Sequence, residues 1–258
     1  MDNSRTKPSA RYRAPALEKG LAILELLAKA AVPMTLSAIS ENMGRSKNEL
    51  FRMLQVLEGH GYLTRADGTD AYLLTNRLFM LGMERPPVKG LMEVALPVMH
   101  QLAEDTVQPC QLVVPCDEFI VVIARVDSPG DVGFVVRLGH RRPLPHATSG
   151  LVLMAFQTEH VRDSWIAMLD AKSVRYDRKQ VMARLETIRS QGHASIPSEL
   201  VSGITDLSAP ILQNGVAIAA LTVPFAERRS PKVGQKESVR FLVKAAGRIS
   251  AALSYGPG

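Results

Sequence analysis

The chain reads as an α+β protein in two parts, an N-terminal winged helix-turn-helix followed by a larger part built on an antiparallel sheet. Three observations carry this reading. Two amphipathic helical patterns flank the short turn Gly44-Arg45, an Asp67-Gly68 hairpin signal follows them, and from Cys110 onward short β-branched runs replace helical periodicity.

Residues 1–13 are expected to be a disordered basic tail, because the first 19 residues hold 5 Lys+Arg against 2 Asp+Glu. Such a tail suits DNA phosphates or simply keeps the chain soluble. A first helix is expected over 15–30, since a proline at a helix start loses no hydrogen bond there, with Leu17, Leu21, Leu24 and Leu27 as its buried stripe. Residues 35–43 present Leu36, Ile39 and Met43 on one face, and residues 46–60 present Leu50, Met53, Leu54 and Leu57. Ser46 and Glu49 read as a capping box, the serine accepting from the backbone and the glutamate reaching back. Left for solvent on its first turns are Lys47, Asn48, Phe51 and Arg52, with Gln55 one turn on. Cations and amides exposed on the first turns of a second helix suit a DNA major groove. An ordinary helical hairpin with a solvated face is the bland alternative. Strands over 62–65 and 72–74 would add a wing, whose Arg65 would meet phosphate or the minor groove.

Beyond the wing, 76–82 reads as a short helix and Pro86-Pro87 as a break, because the residue before each proline is pushed out of helix. A helix over 88–106, interrupted near Pro97, would connect the parts and begin the second. Strands are expected over 111–114, 119–125 and 133–138, helices over 149–156, 159–168 and 178–191, a hairpin joining 211–212 to 217–223, and a closing helix over 237–254. The domains are then 14–83, a linker helix over 84–106, and 107–258.

Composition narrows the function. With 46% hydrophobic and 22% charged residues the chain is an ordinary globular one. The net charge of +6 splits evenly, residues 1–82 holding 11 Lys+Arg against 8 Asp+Glu and the rest 20 against 17, so the excess is denser in the shorter N-terminal part. Only 5% of residues are aromatic, which argues against a base-stacking platform for single strands. The apolar stretch 21–31 carries Glu25 and Lys29 and is too short to span a bilayer, so neither a membrane segment nor a secretion leader is expected. Cys110 and Cys116 give no disulfide framework, which fits a reducing cytoplasm. The six histidines show no metal spacing, and the chain has no phosphate loop, dinucleotide fingerprint or nucleophile elbow. No cofactor and no metal are expected.

Two segments invite a ligand. In 141–150, RRPLPHATSG, the residues Thr148, Ser149 and Gly150 fall at a helix start, where free N–H groups and hydroxyls suit a carboxylate-bearing metabolite. Simple N-capping by Thr148 or Ser149 is the alternative. In 198–210 Asp206 lies between Ile204 and Leu207 in an apolar run, so it either faces solvent or serves a polar pocket. His146, Ser149 and Asp206 make a hydrolytic triple on paper only, without the backbone context that activates a nucleophile. The residues thus leave open a DNA-binding regulator, a metabolite-processing enzyme with a helical interaction domain, and a winged module that docks on protein alone.

Several segments together resemble the isocitrate lyase regulator (IclR) family of bacterial transcription factors, over nearly the whole chain from Ala14 to Leu253. They are ALEKGLAILELLA, MGRSKNELFRMLQVLEGHGY, YLLTNRLFMLG, ARVDSPG, PLPHATSG, and the EL and SGITDLSAPI segments. The resemblance implies a winged helix-turn-helix, a connecting helix and a GAF-like effector-binding domain. It further implies a cytoplasmic, non-enzymatic regulator that binds palindromic double-stranded operators as a homodimer or dimer of dimers. A small-molecule effector, expected to be an organic acid, would alter that binding. By position the resemblance sends Arg45, Ser46, Lys47, Asn48, Phe51 and Arg52 to DNA, and Thr148, Ser149, Gly150, Ile204 and Asp206 to the effector. Three departures stand out: Asn48-Glu49 where the family commonly has Ser-Thr, one extra residue between Gly139 and His146, and Asp206 where cysteine is common.

Overall fold

The computed structural model describes residues 14–84, 86–130, 134, 136–227 and 233–254. They fall into two compact units that divide between Pro86 and Pro87. The expected tail over 1–13 lies outside the described residues.

The first unit runs α1 (Pro15–Lys29), α2 (Leu36–Met43), α3 (Lys47–Gly59), β1 (Leu63–Arg65), β2 (Tyr72–Leu74) and α4 (Arg77–Glu84). Ile23, Leu27, Ile39, Leu50, Leu54, Leu63 and Tyr72 form its core. The stripe read for the first helix is corrected here. Leu27 is buried and Leu24 packs partly buried against the core as read, but Leu17 and Leu21 are exposed and Ile23 takes their place. Leucines four apart are on one face whichever way that face turns, so spacing alone did not say which face meets the core. The turn after α2 needs Gly44, whose φ of 60° lies in the left-handed region that a side chain disfavours. Half of the capping box forms. Ser46 accepts from the Glu49 N–H at 3.4 Å, but the Glu49 carboxylate pairs with Lys19 on α1. That hydrogen bond, foremost, lowers the Glu49 pKa, and it ties α3 to α1.

The second unit opens with α5 (Pro86–Thr106), then β3 (Cys110–Cys116), β4 (Phe119–Val126) and β5 (Arg141–Pro143), a single 3-10 turn at Leu144–His146, and α6 (Thr148–Ala155). It continues with α7 (Glu159–Ala171), α8 (Arg178–Gln191), β6 (Ala194–Pro197), β7 (Ile204–Gln213), β8 (Val216–Ala226) and α9 (Gln235–Ser254). The six strands form one antiparallel sheet in the order β5-β4-β3-β8-β7-β6. On one face α5 and α9 bury Ala95, Met99, Leu102, Leu242, Ala246 and Ile249 against Leu112, Leu207, Ala209, Leu221 and Val223. On the other, α6, α7 and α8 pack Leu151, Val152, Trp165 and Leu185 against Val113, Ile120, Val122 and Ala220.

Two expectations fail in this unit. The helix α5 runs unbroken through Pro97, because that proline faces solvent while Ala95, Val98 and Met99 beside it are buried; their burial offsets a cost of about 3 kcal/mol. Of the strand read over 133–138, Gly133 and Val135 lie outside the described residues, and Phe134, Val136 and Arg137 join no ladder. The partner of β4 is β5, with Ile120 opposite Arg142. The two hairpin strands expected around 213–215 are real but far longer, running ten and eleven residues.

Candidate functional site

On the first unit, Arg45, Ser46, Lys47, Asn48, Phe51 and Arg52 are all exposed. Positions 47, 48, 51, 52 and 55 recur at spacings of three and four, so they form one exposed helical face, which borders the buried Leu50 and Leu54 along its Lys47 edge. Among the described residues Arg45, Lys47 and Arg52 have no ion-pair partner. Three cations without an ion pair around an exposed aromatic ring leave a positive, ridge-shaped surface of helix width, the shape and charge that suit a major groove.

Arg65, read as a contact to phosphate or the minor groove, is held by partners within the first unit. Its Nε donates to Glu58 at 3.1 Å, one terminal nitrogen to Asp70 at 2.9 Å and the other to the Tyr72 hydroxyl at 2.9 Å. The guanidinium also lies 4.8 Å from the centroid of the Tyr72 ring. In the free chain this arginine braces the wing against α3. As a DNA contact it would have to trade those partners for phosphate.

The second unit holds a cleft between the sheet and the start of α6. It measures about 440 Å³ out to its mouth, of which a water-sized sphere can sit in about 40 Å³. The sheet alternation that points Leu112 and Leu221 at one core turns Gln111 and Thr222 into the cleft. Ile120 and Val122 add apolar floor, and Ala147, Thr148 and Ser149 form the wall above. Ala147 is the N-cap of α6 and carries no side-chain cap bond, so the capping alternative for Thr148 and Ser149 is set aside. They are the first two residues of the helix, where N–H groups have no acceptor within it.

The sequence-derived ligand residues separate into two groups. Thr148, Ser149 and Asp206 meet at the cleft, whereas Gly150 and Ile204 are not among its walls. Gly150 packs instead: a Cβ there would stand 2.1 Å from the Leu144 carbonyl oxygen. Ile204 is buried at the start of β7 opposite Ala226, about 7 Å along the strand from Asp206 and past the edge of the cleft. Sequence reading missed Gln111, Arg142, Ser198 and Thr222. Thr222 carried a signal, being a polar residue inside an apolar run; Arg142 carried none.

Asp206 is half-buried, and burial, above all, raises its pKa; the Ser198 hydroxyl and the Arg142 charge pull it part of the way back, and Glu199 pushes it up. The native state therefore holds its proton to higher pH than the unfolded chain does. Stability falls as pH climbs through that window and stays lower above it. We expect Asp206→Asn to be about 1 kcal/mol more stable than the parent at neutral pH, with the two converging as pH drops below the window. Thermal melts across pH check this, and a gain that persists unchanged in acid would contradict it. Burial also pushes the Cys110 thiol up to about 12, so it stays protonated.

Comparison with known proteins places the chain. Residues 16–67 match the IclR helix-turn-helix domain, and residues 88–251 match the bacterial transcriptional regulator IclR C-terminal domain. The HTH-type transcriptional regulator KdgR of Escherichia coli K12 is 28% identical over 230 residues, covering 85% of this chain and 86% of that protein. KdgR of Dickeya chrysanthemi is 26% identical over 225 residues, 85% and 74% of the two chains. Among solved structures, Pseudomonas aeruginosa HmgR superposes with a TM-score of 0.73 at 26% identity, covering 92% and 98%. An IclR homolog from Microbacterium hydrocarbonoxydans complexed with 4-hydroxybenzoate gives 0.77 at 23% identity, covering 93% and 100%.

By class, then, this is a DNA-binding transcriptional regulator and not an enzyme. It belongs to the IclR family of bacterial transcriptional regulators.

Proposed function

We propose that the chain controls transcription by laying α3 in the major groove of a palindromic duplex operator, and that a small organic acid in the cleft of the second unit shifts that affinity. Residues 14–83 act as the DNA-binding domain, 84–106 as the connection and 107–258 as the effector-binding domain. The observation that carries the reading is that Arg45, just before α3, and Lys47 and Arg52 on it are exposed and have no ion-pair partner among the described residues. Arg65 and the basic residues of 1–13 add phosphate contacts outside the groove.

A palindromic site calls for a two-fold protein. Leu17 and Leu21 on α1, and Leu78, Phe79 and Leu81 on α4, are large apolar side chains at least 40% exposed, and contact with a second copy would take them out of water. Among the described residues no helix is long and apolar enough to cross a membrane. With a DNA partner, that supports work in the cytoplasm.

The acid reading rests on the uncapped start of α6 beside Asp206. A carboxylate would take the helix-start N–H groups and the Thr148 and Ser149 hydroxyls, and a hydroxyl or amine on the ligand would reach Asp206. The similar Microbacterium protein was solved with 4-hydroxybenzoate, a carboxylate with a hydroxyl at its far end. Such a ligand changes DNA affinity only through unequal affinity for two arrangements of the protein. A thermal-shift screen of organic acids identifies the compound. Asp206→Ala should then lose about tenfold or more of its response while operator affinity without ligand stays at the parent value. An unaltered response would remove Asp206 from the site.

A further inference from the structure

We propose that the Arg142–Glu199 ion pair is an internal stand-in for the ligand: an entering carboxylate replaces Glu199 on Arg142 and thereby frees the 198–203 loop. The proposal rests on the cleft being the effector site, and it names how that site opens.

Arg142 comes from β5 and is the cleft's arginine. Its side chain is only 17% exposed, and a terminal nitrogen donates to Glu199 Oε2 at 2.7 Å. The Glu199 side chain is half exposed, with His146 Nδ1 3.9 Å from the same oxygen. Glu199 stands between Ser198 and Leu200, and both of those line the cleft. One ion pair thus pins the stretch of backbone that carries two of the cleft's walls.

Size and charge both call for that pin to move. The space inside the cleft is far below the roughly 300 Å³ at which small-molecule pockets ordinarily begin. Leu200, an apolar cleft wall that is still 56% exposed, is the piece whose displacement enlarges it. A ligand carboxylate added while Glu199 stayed in place would bring a third acid beside Glu199 and Asp206, with one guanidinium among them. Exchange leaves the charge around Arg142 unchanged. The pair is suited to exchange because its acid is half exposed, so water already competes for Glu199 while Arg142 stays in the cleft. Among the described residues the other ties of the segment are short-range ones, Ser198 N–H to the Ile204 carbonyl at 2.9 Å, Leu200 N–H to the Ser198 hydroxyl at 3.4 Å, and the Ser198 hydroxyl to Asp206 on β7.

The test uses the full chain with Cys116→Ser and Val122→Cys, a buried position on the cleft floor, so that a thiol reagent reports how often the 198–203 loop uncovers the cleft; Cys110 is buried and does not compete. Labelling is measured in sodium acetate against sodium chloride at equal ionic strength. Adding Glu199→Gln should raise the labelling rate in chloride by about threefold to fivefold. Acetate should speed labelling of the chain with Glu199 intact and change the Glu199→Gln chain little. Equal rates in chloride with and without Glu199→Gln would overturn the pin. Faster labelling in Glu199→Gln with no acetate effect on the Glu199 chain would overturn the exchange. Either failure is separate from the Asp206→Ala response, which tests the cleft itself.

Discussion

Gly150→Ala should destabilise the second unit by about 3 kcal/mol or more. Its new methyl carbon would stand 2.1 Å from the Leu144 carbonyl oxygen and 2.8 Å from two further Leu144 backbone atoms. These are backbone atoms of a 3-10 turn whose Leu144 is itself fully buried, so no flexible side chain can swing away. Relief requires α6, buried along its whole length, to back out of the core it shares with α8 and the sheet. Overpacking of a filled core costs about 1–3 kcal/mol, and a backbone collision belongs at or above the upper end. Against a total of roughly 5–15 kcal/mol that is a large part of the unit's stability. Denaturant titration should show the transition of residues 87–254 moving far down while helices α1–α3 melt as before. A parent-like transition would mean that the glycine is there for some other reason than close packing.

Arg52→Ala should weaken operator binding by about tenfold at physiological salt, and lower the slope of log affinity against log salt by about 1. Lys47→Ala with Arg52→Ala should lower it by about 2. Because neither side chain has an ion-pair partner among the described residues, their loss leaves no unpaired acid behind. The fold should be unaffected, and melting temperature is the control. Arg65→Ala is different in kind. It releases Glu58, Asp70 and the Tyr72 hydroxyl together, so it should loosen the wing as well as lose charge. A mobility shift of Arg52→Ala identical to the parent's would remove α3 from the groove.

How much was readable beforehand follows from the range of each interaction. The period of α2 and α3, the Gly44 turn and the Asp-Gly wing are local, and they stand where the residues put them. The Glu49 carboxylate was read as reaching back along its own helix because Lys19, thirty residues earlier, cannot be seen from α3. Arg65 looked like a free cation for the same reason, since its partners come from α3 and the far side of the hairpin. Gly150 was taken for a ligand contact because a glycine needed for close approach to a ligand and one needed for close approach to backbone look alike in sequence. Its actual neighbour, Leu144, is declared only by folding. The strand β5 is three residues with a terminal proline, too short for any alternation to show, and so Arg142 was missed. Asp206 was the opposite case: an acid in an apolar run announces a cost that some polar surrounding must meet, and the cleft is that surrounding.

Binding of the chain to duplex DNA from its own upstream region, followed by fluorescence anisotropy with and without a panel of organic acids, tests the account most directly. The account predicts salt-sensitive retention of the duplex, carried by the α3 face, and at least one acid that shifts the midpoint in the parent but not in Asp206→Ala. A protein that ignores the duplex at every salt concentration, whatever acid is added, would contradict it.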